Sequence, residues 1–262
     1  MELISKLREK SRQSGPGGVF GSALRHVANR LDPAGAGKEV NEKKGDEFLL
    51  WVRFAVPGML DSGNIEAMEH AISNMPKGSS VLEIGSFCGL STVVISHLLE
   101  KYSNSSKLYT CDKWEFEGQQ LGTLLGGSQS VTHDDYRAYV KGTFLRTMQT
   151  FAQGRLPFTI ECFSDEMFRR WFTNEKSVDV FGRPATLGGK LGFCYIDGNH
   201  SYEFAKRDFE NADRVLERHG FVLFDDSGDG SVWEVNQLAR EIASGKKYTL
   251  VSHSPNYLFR KS

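Results

Sequence analysis

Apolar positions along this chain alternate between short runs and longer stretches with apolar residues three to four apart. SVLEI is a short apolar run that ends at Gly85, and the LSTVVISHLLEKY after it has the spacing of a buried helix. Residues 107–111 read as a second strand, 133–151 as a helix and 158–162 as a strand. A helix over 164–172 follows, which Ser164 could cap. Residues 191–196 read as a strand, 202–218 as a helix, 221–224 as a strand and 232–242 as a helix, with closing strands at 248–252 and 257–259. Upstream, Ile65, Met68, Ala71 and Ile72 give residues 64–75 a helical period, and the apolar, aromatic segment 48–56 is broken by Pro57-Gly58. Strands alternating with helices predict an α/β fold, a Rossmann-like and mostly parallel sheet with helices on both faces. Such sheets bind ligands at the carboxyl ends of their strands.

Two stretches interrupt the alternation, GQQLGTLLGG within residues 114–132 and FGRPATLGGK at 181–190. Both read either as loops that shape a pocket or as surface excursions. Residues 1–45, with GPGG and PAGAGK, read as a loosely ordered arm or cap with short helices at 3–7 and 19–31. Residues 46–262 are expected to form one domain.

The composition, 39% hydrophobic and 25% charged with a formal net charge of -1, is that of a globular chain and gives no reason to expect a nucleic-acid partner. No apolar run reaches the length of a membrane span, the N-terminus lacks a signal-peptide core, and the expected location is cytoplasmic without a membrane partner. Cys88, Cys111, Cys162 and Cys194 form no CxxC pair and read as small buried hydrophobes.

The candidate chemistry starts at Glu83-Ile84-Gly85-Ser86-Phe87-Cys88-Gly89, placed between a strand and a helix. Gly85 permits a tight turn and Gly89 a close approach of backbone to ligand at the helix N-terminus, with Ser86 and Ser91 alongside as binding candidates. The spacing is neither GxGxxG nor a P-loop. Asp112, at the end of the next strand, stands where nucleotide-binding folds accept hydrogen bonds from ribose hydroxyls, although the gap from the glycines is longer than usual.

VLEIGSFCGLSTVVISHLL, YTCDKW and YIDGNHSYEFAKRDFENADRVLERHGFVLFDDS together resemble a class I S-adenosylmethionine-dependent methyltransferase. The nearer branch contains the macrolide and aminocoumarin sugar O-methyltransferases and their cephalosporin-biosynthesis relatives. The resemblance implies a seven-stranded sheet and cofactor contacts from Glu83, Gly85, Ser86, Gly89, Ser91, Asp112, Ser164 and Asp197. It also implies a divalent metal, Mg²⁺ in the first instance, held by Asp197, Asp225 and Asp226. The residues agree with this, since three acids at neighbouring strand ends can converge and oxygen-only ligands suit Mg²⁺; the lesser alternative is that Asp225-Asp226-Ser227 caps the next helix and one acid faces the pocket. His200 is the candidate general base, with Asp197 beside it in the catalytic set and Asn199 and Tyr202 orienting substrate. Tyr195 and Phe163 read as core.

The expected activity is metal-dependent transfer of a methyl group to a hydroxyl of a small molecule, a sugar or a glycosylated natural product. A cofactor-binding accessory protein without transfer and a hydroxylase-associated protein of the same branch are the alternatives. Self-association into a homo-oligomer stays open.

Overall fold

The computed structural model describes residues 46–116, 120 and 122–262. The expectations for residues 1–45 lie outside the described residues. The chain divides into two compact units, Met1–Pro57 and Gly58–Ser262, where the sequence pattern put the boundary after residue 45. In the first unit, α1 (Glu47–Ala55) is capped by the Asp46 carboxylate, which accepts the Leu49 N–H at 3.3 Å.

The second unit opens with α2 (Ser62–Asn74), capped by Asp61, and buries the periodic face seen in the sequence: Ile65, Met68, Ala71 and Ile72. Then follow β1 (Ser80–Ile84), α3 (Leu90–Lys101), β2 (Leu108–Cys111), α4 (His133–Phe151) and β3 (Phe158–Ile160). A capping box between Thr132 and Asp135 fixes the start of α4. After α5 (Ser164–Phe172) come β4 (Lys176–Val178), β5 (Pro184–Thr186), β6 (Leu191–Ile196), α6 (Tyr202–Val215), β7 (Leu216–Phe224), α7 (Val235–Ser244), β8 (Tyr248–His253) and β9 (Tyr257–Lys261).

Seven strands form one sheet in the order β3-β2-β1-β6-β7-β9-β8, parallel from β3 to β7, with β9 antiparallel to both neighbours. α2, α3 and α4 form one packed group and α5, α6 and α7 another. All six residues of β6 are buried, as a strand covered on both faces must be. This is the expected Rossmann-like fold.

Three local readings differ. The helix expected to 218 stops at Val215 and β7 starts at Leu216, because Leu216 pairs with Leu191 and His219 takes a left-handed φ of 68°. The polar residues Glu217, Arg218 and His219 carry a helical pattern, and sheet pairing overrides it. Ser164 does not cap α5. It is the first helical residue, Phe163 holds the cap position, and no side chain caps there. Residues 181–190 are no pocket loop, since they turn and continue the β4–β5 hairpin. The Asp179 carboxylate accepts the backbone N–H groups of Phe181 and Arg183 (3.0 and 2.8 Å), and the Arg183 side chain returns to the same carboxylate. Among the described residues, no helix is long and apolar enough to cross a membrane.

Candidate active site

β1, β2, β3 and β6 each end in a carbonyl that accepts the N–H of the residue just beyond a neighbouring strand. Gly85 N–H donates to Cys111 O (3.0 Å), Asp112 to Ile160 O (3.3 Å), Asp197 to Ile84 O (2.8 Å) and Asp225 to Ile196 O (2.9 Å). This ladder sets Gly85, Asp112, Asp197 and Asp225 along one rim, where they line a cavity of about 1140 Å³. A drug-sized ligand occupies a pocket of roughly 300–1,000 Å³, so this one has room for two reactants.

The glycine turn is held from two sides. Gly85 has φ +83°, and a Cβ there would lie 1.9 Å from the Asp197 carbonyl oxygen, so only glycine lets the two loops pass. Asp112 accepts the N–H groups of Ser86 and Phe87 on one oxygen, both at 2.8 Å, and that of Trp114 on the other at 2.5 Å. An ionised carboxylate offers about four acceptor positions, so roughly one is left for a ribose hydroxyl. Gly89, at φ +94°, begins α3 close under Met148 and Phe144. Ser86 and Ser91 line the cavity, as expected.

Glu83 sits elsewhere than expected. It is wholly buried behind the turn, does not line the cavity, and accepts hydrogen bonds from the hydroxyls of Ser86 and Thr92. Burial pushes its pKa up to about 7, against the pull of the Ser91, Thr92 and Ser86 hydroxyls. It supports the glycine turn from behind.

The acids on the other half of the rim crowd one another. Burial first and the Asp225 charge second hold Asp197 well above the usual carboxylate range, and burial also raises Asp225. Two residues not singled out in the sequence fix this pair. Asn64 in α2 and Asn256 before β9 both donate side-chain N–H groups to Asp225 Oδ1, the latter at 2.9 Å, and Asn256 also donates to Asn64 Oδ1 at 3.0 Å. Their polarity was visible in the sequence, but contacts 161 and 192 residues apart carry no local signal. Tyr195, read as core, is buried and also works: its hydroxyl donates to Asp197 Oδ2 at 3.3 Å.

The expected metal centre is not formed by this arrangement. Among the described residues, no group of three or more His, Cys, Asp and Glu side chains is placed to hold one ion. Asp225 Oδ1 is taken by two amides. Asp226, at φ 52°, sets its Oδ2 3.7 Å from Nε2 of the candidate base.

That base, His200, stands between two acids, its Nε2 3.8 Å from Asp197 Oδ1 and 3.7 Å from Asp226 Oδ2. Its carbonyl accepts Val235 N–H, and the Trp233 ring lies 5.4 Å away, which fixes both ends of the residue. Asn199 lines the cavity but uses Oδ1 to accept Ser201 N–H in the turn into α6. Tyr202 is turned away, donating its hydroxyl to Glu241 at 2.7 Å, so it does not orient substrate. Phe163, expected in the core, is instead 53% exposed on the cavity wall. Ser164 lines the same wall. From the interrupted stretch 114–132, Glu115 and Phe116 join the lining, while Trp114 is buried and donates its indole N–H to Phe87 O at 3.0 Å. All four cysteines are free and buried, with burial pushing Cys88 to about 11 and Cys162 to about 12, so they are inert thiols.

Residues 82–227 match a protein family described as a methyltransferase domain. By sequence the chain is similar to an uncharacterized protein of Acanthamoeba polyphaga mimivirus, 23% identical over 177 residues, 61% of this chain and 75% of that one. By fold it is similar to the apo TDP-rhamnose 3'-O-methyltransferase of calicheamicin biosynthesis, with TM-score 0.51 and 16% identity over 91% of this chain and 94% of that one. A putative O-methyltransferase from Klebsiella pneumoniae gives TM-score 0.52 and 13% identity over 90% and 96%.

The buried Glu83 gives the site a pH signature. Its folded pKa lies above its unfolded one, so the folded chain keeps a proton that the unfolded chain has lost. Stability from this group is full below the ordinary carboxylate range and is lost as pH rises through about 7. Urea midpoints should therefore fall between about pH 5 and pH 8, and fall less in Glu83→Gln. Asp208, also raised to about 7, keeps some slope in the variant. A slope identical to wild type in Glu83→Gln would show that Glu83 does not carry the effect.

Proposed function

The chain belongs to the methyltransferase-domain family, and on that premise we propose that it is an S-adenosylmethionine-dependent O-methyltransferase acting on a small hydroxylated molecule. The observation that carries this reading is the single cavity that joins a clamped glycine turn, Asp112 and Ser164 to His200 and its flanking acids. The residues fit the cofactor: Gly85 and Ser86 line the cavity at the turn, Asp112 keeps an acceptor position for ribose, and Ser164 lies beyond it towards β3.

When bound, S-adenosylmethionine supplies an electrophilic methyl on a sulfonium, and the protein supplies position and a proton acceptor. His200 would take the proton of the acceptor hydroxyl on Nε2, and Asp197 Oδ1 and Asp226 Oδ2, 3.8 and 3.7 Å from that nitrogen, are the acceptors nearest to it. Trp233 beside His200 offers a flat apolar face for the acceptor. That the acceptor is a sugar or a glycosylated natural product rests on the sequence resemblance.

A metal-dependent form of the reaction is the second reading. It is favoured by the lack, among the described residues, of any Lys or Arg paired with Asp197, Asp225 or Asp226, so that this crowd of acids lacks a balancing cation. Since the acids as arranged do not form a metal centre, we route no step through an ion.

In a methylation assay over a panel of hydroxylated acceptors, His200→Ala should lower turnover by about 10²–10⁴-fold while leaving S-adenosylhomocysteine affinity unchanged. Full turnover in that variant would remove His200 as base, and no methylation of any acceptor by wild type would favour the accessory-protein alternative. The same assay with Mg²⁺ and with a chelator separates the two readings. Turnover that survives chelation fits proton transfer to His200 alone, and turnover that stops without metal fits the second reading.

A further inference from the structure

Asp208 is a buried acid that the proposed chemistry does not use. It lies on the inner face of α6 between Ala205 and Ala212, is 2% exposed, and yet lines the cavity. Its one side-chain hydrogen bond is with the Ser164 hydroxyl, and no Lys or Arg among the described residues forms an ion pair with it. Burial raises its pKa to about 7, and the neighbouring Asp165 pushes the same way. A carboxyl so placed is costly, and its alanine neighbours show that packing on this face needs no polar group there. Lining the cavity, it can accept a hydrogen bond from a group bound there.

Its surroundings indicate which donor. Along the rim the order is glycine turn, Asp112, then Ser164 at the start of α5, so a nucleoside with its ribose at Asp112 sends its base towards Ser164 and Asp208. There the wall is aromatic, with Phe163 and Phe204 both on the cavity and 53% and 46% exposed. Arg207 lies 4.6 Å over the Phe204 ring and pairs with Asp165 at 2.8 Å, closing the outer edge. Aromatic faces and one buried acceptor make a site for a flat heterocycle that carries an amino group.

We infer that Asp208 accepts a hydrogen bond from the exocyclic amino group of the cofactor's purine and thereby selects adenine over a 6-oxopurine. The inference rests on the reading that the cavity holds S-adenosylmethionine. It makes Asp208 a specificity-determining residue outside the glycine turn and the strand-end acids. A 6-oxo group in the same place would set a carbonyl oxygen against the ionised carboxylate, so the preference is read at a pH above 7, where Asp208 has lost its proton.

The test is calorimetric titration of wild type and Asp208→Asn with S-adenosylhomocysteine and with S-inosylhomocysteine, its 6-oxo analogue. Wild type should prefer the adenine compound by about 10- to 100-fold. Asp208→Asn can offer its amide N–H₂ to the oxo group or its oxygen to the amino group, so the preference should collapse towards equality. Equal binding of both compounds to wild type overturns the inference without use of any variant. A wild-type preference retained in folded Asp208→Asn overturns it as well. Failure of wild type to bind either compound would remove the cofactor reading itself, and this inference with it, which is a distinct result.

Discussion

Asp112 carries three backbone N–H groups on one carboxylate, and the geometry of the whole rim follows from that hold. Two of its donors, Phe87 and Trp114, belong to residues with positive φ, at 45° and 52°. A left-handed residue other than glycine costs about 1–2 kcal/mol. Charge-assisted hydrogen bonds to a half-buried carboxylate offset such strain. The Trp114 indole closes the same knot by donating to Phe87 O. With the turn held there, Gly85 can pass against the Asp197 carbonyl, and the β1 and β6 loops share one wall of the cavity.

The far half of the rim is built on the opposite principle, with acids crowded together and steadied by neutral groups. Asn64, Asn256 and the Tyr195 hydroxyl spread hydrogen bonds over Asp225 and Asp197, and these donors bring no positive charge. The acids line the cavity beside His200, where hydrogen-bond acceptors suit a developing imidazolium. The same crowding is what a divalent ion would relieve, and so one set of residues supports both forms of the proposed mechanism.

Much of this was legible in the sequence because its signals are local. The alternation of short apolar runs with helical periods gave the sheet and its helices, since strand and helix periods differ and each element here keeps to one of them. Asp112, Asp197 and Asp225 were legible as rim positions because strand ends in such sheets point to one rim, and His200 because of the motif it stands in. The misses come from tertiary contacts. The polar start of β7 reads as helix until Leu216 finds Leu191, and the hairpin at 176–186 depends on an Asp179–Arg183 pair that composition does not reveal. Glu83 looked like a ligand contact because its position along the chain cannot show which side of the turn it faces. Asn64 and Asn256 were missed since each reaches the site from a distant segment, and Asp208 because its place in a helix does not show that it lines the cavity.

The most direct test of the account is calorimetric titration of wild type and Asp112→Ala with S-adenosylhomocysteine. The account expects micromolar binding by wild type and at least about a tenfold loss in a variant that remains folded, because both the ribose acceptor and the hold on the glycine turn go together. Absence of binding by wild type, or wild-type affinity in Asp112→Ala, would contradict it.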